Sequence, residues 1–226
     1  KGALPLICKT EDVALNRGLT KKAAQLKSNN GVFKTMRLAL SCTGEYAQYF
    51  GGTAAGALAG MNATMTRVKG IFNRDLAIKL LLIANESSII YTNAATDPYS
   101  DYQIDDPDGT ITDGEEGAWK LELQSTLTAK IGNGNYDIGH LFANSGGGGG
   151  GDAGCIGCVC VNPSSGDPYG KGSAYTSPSN GIPEGDSFDI DFVTHEIGHQ
   201  LGANHTFSSE EYEGTGVNVE PGSGST

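Results

Sequence analysis

Three of the chain's four histidines, His195, His199 and His205, fall within eleven residues, and no other feature limits so strongly what this chain can fold into. The stretch from Phe188 reads Phe-Asp-Ile-Asp-Phe-Val-Thr-His-Glu-Ile-Gly-His-Gln-Leu-Gly-Ala-Asn-His, ending at His205. Histidines four apart share one face of a helix, so His195 and His199 can aim both imidazoles at one point. A tetrahedral zinc ion accepts a nitrogen from each at about 2.0–2.1 Å. A helix starting near Asp186 or Ser187 has an acceptable N-cap and acids in its first turn, where the dipole favours them. Ile190, Val193, Ile197 and Leu201 then form its buried stripe. Gly202 falls where a helix can end in the left-handed conformation, which glycine adopts without strain, so the chain can turn and return His205 to the metal. Three imidazoles leave the fourth position open to a water whose pKa falls to about 7, the mark of a catalytic site. Glu196, next to the first ligand, is placed to take that proton as general base and pass it to a leaving amine. A bare His-Glu-x-x-His arises by chance on surface helices; the extension through Gly202 to His205 is what favours metal. His140, on a predicted strand, is read as structural.

The remaining composition narrows the function classes. A length of 226 residues suits one domain with an appended segment. Residues 1–30, mixed and polar, read as a linker or pro-segment remnant, and residues 31–226 as the catalytic domain. A net charge of −11 without any Lys/Arg cluster argues against nucleic acid. No apolar run approaches the roughly 20 residues of a membrane-spanning helix. The 34 glycines, with abundant Ser, Thr and Asn, suggest the loop-rich surface of an exported protein. A monomer is expected, and a bacterial producer, because a glycan on the acceptor pattern Asn204-His205-Thr206 would obstruct the cleft between the histidines. The first residues hold no full signal peptide, so an export signal would already have been removed.

Hydrophobic spacing predicts the elements. Residues 32–42 alternate as a strand, and Leu58, Met61, Met65, Val68 and Phe72 mark an amphipathic helix whose methionines fill core. The apolar run at 76–84 predicts a strand central in the sheet. Trp119, Leu123, Leu127 and Ile131 mark a second helix stopping at Gly132, and residues 136–143 a further strand. The glycine run 146–151 reads as a flexible loop, lacking the Lys and Ser/Thr of a phosphate loop. Residues 156–161 are a short strand candidate. The order implies an α/β sheet with packed helices. Residues 97–117 carry eight acids, a candidate Ca²⁺ loop weighed against a solvated one, since Pro107 spoils the EF-hand frame that begins at Asp105.

Cys8, Cys42, Cys155, Cys158 and Cys160 are an odd set. No second separated pair exists to build a structural zinc site with the last three, so disulfides are expected. With Cys8 set aside as the odd thiol, the other four would form two bridges. Three connectivities are open, and the one joining Cys158 to Cys160 is disfavoured because alternate strand residues lie too far apart.

The zinc motif resembles that of the metzincin metallopeptidases, and the chain is similar more narrowly to the secreted bacterial reprolysin-like (adamalysin-like) group. Thr43-Gly44-Glu45-Tyr46, residues 62–68, Asp75-Leu76-Ala77-Ile78 and Asp137-Ile138-Gly139-His140 carry the rest of the likeness. His205-Thr206-Phe207 is closer to pappalysin-type metzincins, since adamalysin-type proteases place Asp after the third histidine. The resemblance implies a mixed twisted sheet with an edge strand above the cleft, here expected at residues 156–161, and a protein or peptide substrate extended along it. It also implies a methionine turn beneath the zinc. No Met follows Met65, and the closing residues 220–226 resemble the lead into that turn, so the chain is expected to stop just before it. Cys8 in Leu-Ile-Cys-Lys-Thr is loosely similar to the pro-segment motif by which some metzincins place a thiolate on zinc, implying a latency switch. The function expected is a secreted zinc endopeptidase. The alternatives are a catalytically silent or latent binding module on the same fold, which the intact Glu196 disfavours, and a zinc amidase acting on small substrates, which would lack the long cleft.

Overall fold

The computed structural model describes Cys8, Thr10 and residues 32–100, 118–144 and 149–205. Its centre is a five-stranded mixed sheet in the order β2-β1-β3-β5-β4. The strands are β1 (Lys34–Cys42), β2 (Ile78–Leu82), β3 (Ile138–Phe142), β4 (Gly150–Asp152) and β5 (Tyr175–Ser177). All neighbours run parallel except β4, which is antiparallel to β5.

Strand alternation sorts the core into two layers. Leu38, Leu40 and Phe142 face one side, where they meet Met61, Met65, Val68 and Phe72 of α2 (Ala54–Asp75). Ala39 and Leu141 face the other side, against Trp119, Leu123 and Leu127 of α3 (Ala118–Lys130). Both methionines are fully buried, in keeping with core filling. The short α1 (Gly44–Tyr49) and α2 begin at Thr43 and Thr53, whose hydroxyls accept from the backbone N–H of Tyr46 and Gly56. α3 ends where Gly132 takes φ +80°. The helix carrying His195 and His199 lies on the α2 side, seated through Phe188, Val193 and Ile197.

Several sequence expectations need correction. β2 is an edge strand, not a central one: α2 returns the chain to one side of β1, and α3 carries β3 to the other, so β1 takes the middle. Leu81 is accordingly 41 % exposed. Residues 156–161 form no strand, because Gly157 and Cys160 take φ +74° and +63° and a disulfide joins Cys155 to Cys158, folding the chain into turns. The edge strand is β4, drawn from the glycine run expected to be a flexible loop. Glycine is needed there for close approach: a Cβ on Gly149 would stand 2.0 Å from Ser179 N.

The second expected disulfide is absent, since Cys42 and Cys160 are free thiols. Cys42 is buried at the end of β1, its Sγ donating to Tyr91 O at 3.6 Å, while Cys160 is exposed beyond the Cys155–Cys158 turn. Most of the acidic segment proposed for Ca²⁺, residues 101–117, lies outside the described residues, as do residues 206–226 with the expected lead into a methionine turn.

Candidate active site

The segment before His195 is wound more widely than an α-helix. Ser187–Thr194 is a π-helix, in which the Thr194 hydroxyl donates to the Asp189 carbonyl five residues back, and α4 (His195–Gln200) continues it. Asp186 makes no capping bond; it pairs with Arg67 of α2, which also holds Asp189 at 2.7 Å. The wider winding moves the buried stripe to Phe188, Phe192, Val193 and Ile197, leaving Ile190 partly exposed. Such π-segments concentrate at functional sites, because the extra residue per turn re-aims the side chains that follow.

α4 presents His195 and His199 on one face, with Nε2 atoms 2.9 Å apart. It ends as expected: Gly202 takes φ +111°, its N–H returns to His199 O at 2.8 Å, and Ala203 N–H reaches Gly198 O at 3.1 Å. The turn brings the His205 ring to 4.4 Å from the His199 ring, centre to centre. His199 Nδ1 donates to Ala203 O at 2.6 Å, which fixes its tautomer and turns Nε2 towards the cluster.

A fourth donor comes from far along the chain. Cys8 Sγ lies 3.6 Å from His199 Nε2, and the donor atoms of Cys8, His195, His199 and His205 all sit within 4.8 Å of one another, a group that could hold a metal ion. Cys8 forms a parallel bridge with Gly151 on the outer edge of β4. Two residues on, Thr10 donates its hydroxyl to Glu196 Oε2 at 2.9 Å and accepts from Ala153 N–H at 2.7 Å. Thr10 escaped the sequence reading, although residues two apart on an extended segment face the same way, so its pairing with Cys8 was legible in principle.

Glu196 is fully buried, and its Oε1 has no hydrogen-bond partner among the described residues. Burial pushes its pKa up to about 8; the Cys8 side chain opposes the rise, the Asp152 carboxylate adds to it, and Thr10 and Lys120 oppose it more weakly. Burial, reinforced by the Glu196 charge, likewise drives the Cys8 thiol well above its ordinary value. Gly151 packs flat against Glu196: a Cβ there would lie 2.3 Å from Glu196 Cγ.

His140 is outside the cluster, consistent with its structural reading. It is buried on β3 with Nδ1 donating to Gln200 Oε1 at 3.0 Å and Nε2 accepting from the Thr176 hydroxyl at 2.8 Å, while Gln200 Nε2 donates to Gly139 O at 2.8 Å. Gln200, one residue beyond His199, thereby locks the end of α4 to the sheet. Burial holds His140 neutral, its pKa lowered to about 4. Cys42 and Cys160 take no part in the cluster.

Over residues 32–226 the sequence matches the description of the metallo-peptidase family M12B, reprolysin-like. Among solved structures, metalloproteinase-II from Bacteroides fragilis is similar at 18 % identity and a TM-score of 0.38, over 79 % of this chain and 50 % of that one. The chain thus spans half the length of that protein. No curated protein matches it.

Proposed function

The chain belongs to the reprolysin-like metallopeptidases of family M12B, and from that premise we propose that it is a zinc-dependent endopeptidase in which His195, His199 and His205 hold the metal and Glu196 is the general base. The observation that carries this reading is the convergence of three imidazoles beside one buried carboxylate. Neutral imidazole nitrogens, with a thiolate as the fourth donor, suit zinc, and their mutual approach within 4.8 Å suits a single ion. When bound, zinc supplies a Lewis acid that polarises the scissile carbonyl and makes water a nucleophile near neutral pH.

The chain's own residues do the rest. Beside a dication held by the three histidines, Glu196 would be favoured in its ionised form, which would offset the burial that raises its pKa. Glu196 then accepts a proton from the attacking water and delivers it to the amide nitrogen as the C–N bond breaks. A substrate backbone adds to the outer edge of β4, where Cys8 already bridges to Gly151, and a backbone ladder accepts proteins of varied sequence. The Cys8–Thr10 segment serves as a latency element: Cys8 fills the fourth position and Thr10 engages the base. The Cys155–Cys158 disulfide supports export to an oxidising compartment and hence extracellular protein substrates.

The test is metal analysis of the full-length protein together with digestion of an unfolded protein, with and without chelator, for the wild type and Glu196→Gln. We expect about one zinc per chain in both, with chelator-sensitive cleavage lost in the variant by roughly 10²–10⁴-fold. Equal cleavage by zinc-loaded Glu196→Gln would refute the role of Glu196. Zinc without cleavage, persisting after removal of the Cys8 segment, would point to a silent binding module. Hydrolysis confined to small acyl amides would point to an amidase.

A further inference from the structure

The cleft edge is tethered by an ion pair that the hydrolytic reading does not use. β4 reads Gly-Gly-Asp, so Asp152 carries the one side chain this strand has to anchor it. That side chain is only 4 % exposed. Its Oδ2 accepts from Lys120 Nζ at 2.5 Å and its Oδ1 from Gly154 N–H at 2.7 Å. Lys120 projects from the first turn of α3, is 15 % exposed, and holds its ammonium 5.3 Å from the centre of the Tyr169 ring.

We propose that Lys120 and Asp152 are positioning residues that set the height and direction of β4, and through it the alignment of a substrate backbone against Glu196. A three-residue strand whose one strand partner among the described residues is β5, with a single bridge to Cys8 on its other edge, is marginal on its own, and two glycines weaken it further. Backbone pairing fixes its spacing from β5 but leaves it free to tilt about that line of hydrogen bonds. The buried Asp152–Lys120 contact removes this freedom by fastening the strand's C-terminal end to α3, on the opposite face of the sheet from α4. The consequence reaches the site because Gly151, one residue away, lies against Glu196 on its inner side and bridges to Cys8 on its outer edge. A tilt at Asp152 therefore shifts the edge to which an extended peptide would add relative to Glu196. Lys120 touches neither the general base nor the histidines, and its charge is the smallest of the influences on Glu196, so its loss should weaken binding of long substrates more than it slows the chemistry.

This rests on the endopeptidase reading for its kinetic arm only; a second arm, amide hydrogen exchange across residues 150–154, does not depend on activity. Both are measured on full-length Lys120→Met and Lys120→Arg proteins, with zinc content as a check. Lys120→Met is expected to raise KM for an extended peptide by about tenfold with kcat changed by less than about threefold, to leave zinc content unaltered, and to speed exchange at 150–154. Lys120→Arg, which keeps the charge, should recover most of both. Because a lone buried carboxylate can unfold a protein, the double variant Lys120→Met/Asp152→Asn, which strands no charge, should show the same KM rise and faster exchange if Lys120→Met folds poorly. Unchanged KM with unchanged exchange, or a fall in kcat and zinc content at constant KM, would overturn the proposal. If the wild type cleaves nothing, the endopeptidase reading fails and the exchange rates alone decide the tether: faster in Lys120→Met supports it, identical rates overturn it.

Discussion

Gly151→Ala probes the contact on which the proposed general base most directly depends. The added Cβ would stand 2.3 Å from Glu196 Cγ, 2.4 Å from Oε1 and 2.5 Å from Cδ. Non-bonded carbons settle at about 3.5–4.0 Å, so strand and side chain must part by roughly 1 Å or more. Glu196 has no exposed surface into which to retreat, and the polypeptide around it is closely packed. The backbone at Gly151 is outside the left-handed region, so alanine is conformationally acceptable there and the conflict is purely steric. A misplacement of about 1 Å in a reacting group costs about 10²-fold in rate, equivalent to about 2.7 kcal/mol of barrier. Stability should change less: overpacking costs about 1–3 kcal/mol, offset by about 0.5–1 kcal/mol because alanine loses less backbone entropy than glycine. The assay is kcat on a peptide substrate with the Cys8 segment removed, alongside zinc content and a denaturant midpoint. Gly166→Ala is the control, since its added methyl meets nothing within 4 Å. A folded, zinc-loaded Gly151→Ala enzyme with wild-type kcat would show that β4 does not position Glu196.

Three further outcomes follow from the same geometry. Burial raises Glu86 from 4.5 to about 8 against the opposing Leu40 N–H, which donates to its Oε1, so the folded state holds the protonated form; this contribution is full below pH 4.5 and is lost as pH rises towards 8. Glu86→Gln should therefore flatten stability across that window and gain up to about 4 kcal/mol near pH 8, read by urea unfolding at several pH values. His140 has the opposite sign: its pKa is lowered from 6.5 to about 4, so stability present above 6.5 is lost as pH falls towards 4, and its ring resonances should show no titration midpoint between about pH 5 and 8. If the Cys8–Thr10 segment enforces latency, Cys8→Ser and Thr10→Val in the full-length protein should each raise initial activity, with the larger gain for Cys8→Ser; equal initial rates in all three proteins would exclude the switch.

The histidine cluster was legible in sequence because its parts are local. His195, Glu196 and His199 lie within two turns of one helix with Gly202 just past its end, and helical periodicity together with glycine's access to positive φ suffices to bring the three histidines together. The two long helices and strands β1 and β3 were legible for the same reason: each carries its own hydrophobic period. What tertiary structure alone decided lies between segments. The edge strand was invisible because Gly150 and Gly151 have no side chains to alternate, and only pairing with Thr176 and Ser177 makes them a strand. β2 carries the apolar run of a central strand, yet the crossover from β2 through α3 lands beyond β1 and leaves β2 at the rim. Cys42 and Cys160 were plausible partners by count, but the fold leaves one in the core and the other at the surface. Lys120 and Asp152 stand 32 residues apart, as Thr10 and Glu196 stand 186 apart. A residue pattern records which face of its own element is buried; which distant residue meets that face depends on the packing of the whole chain.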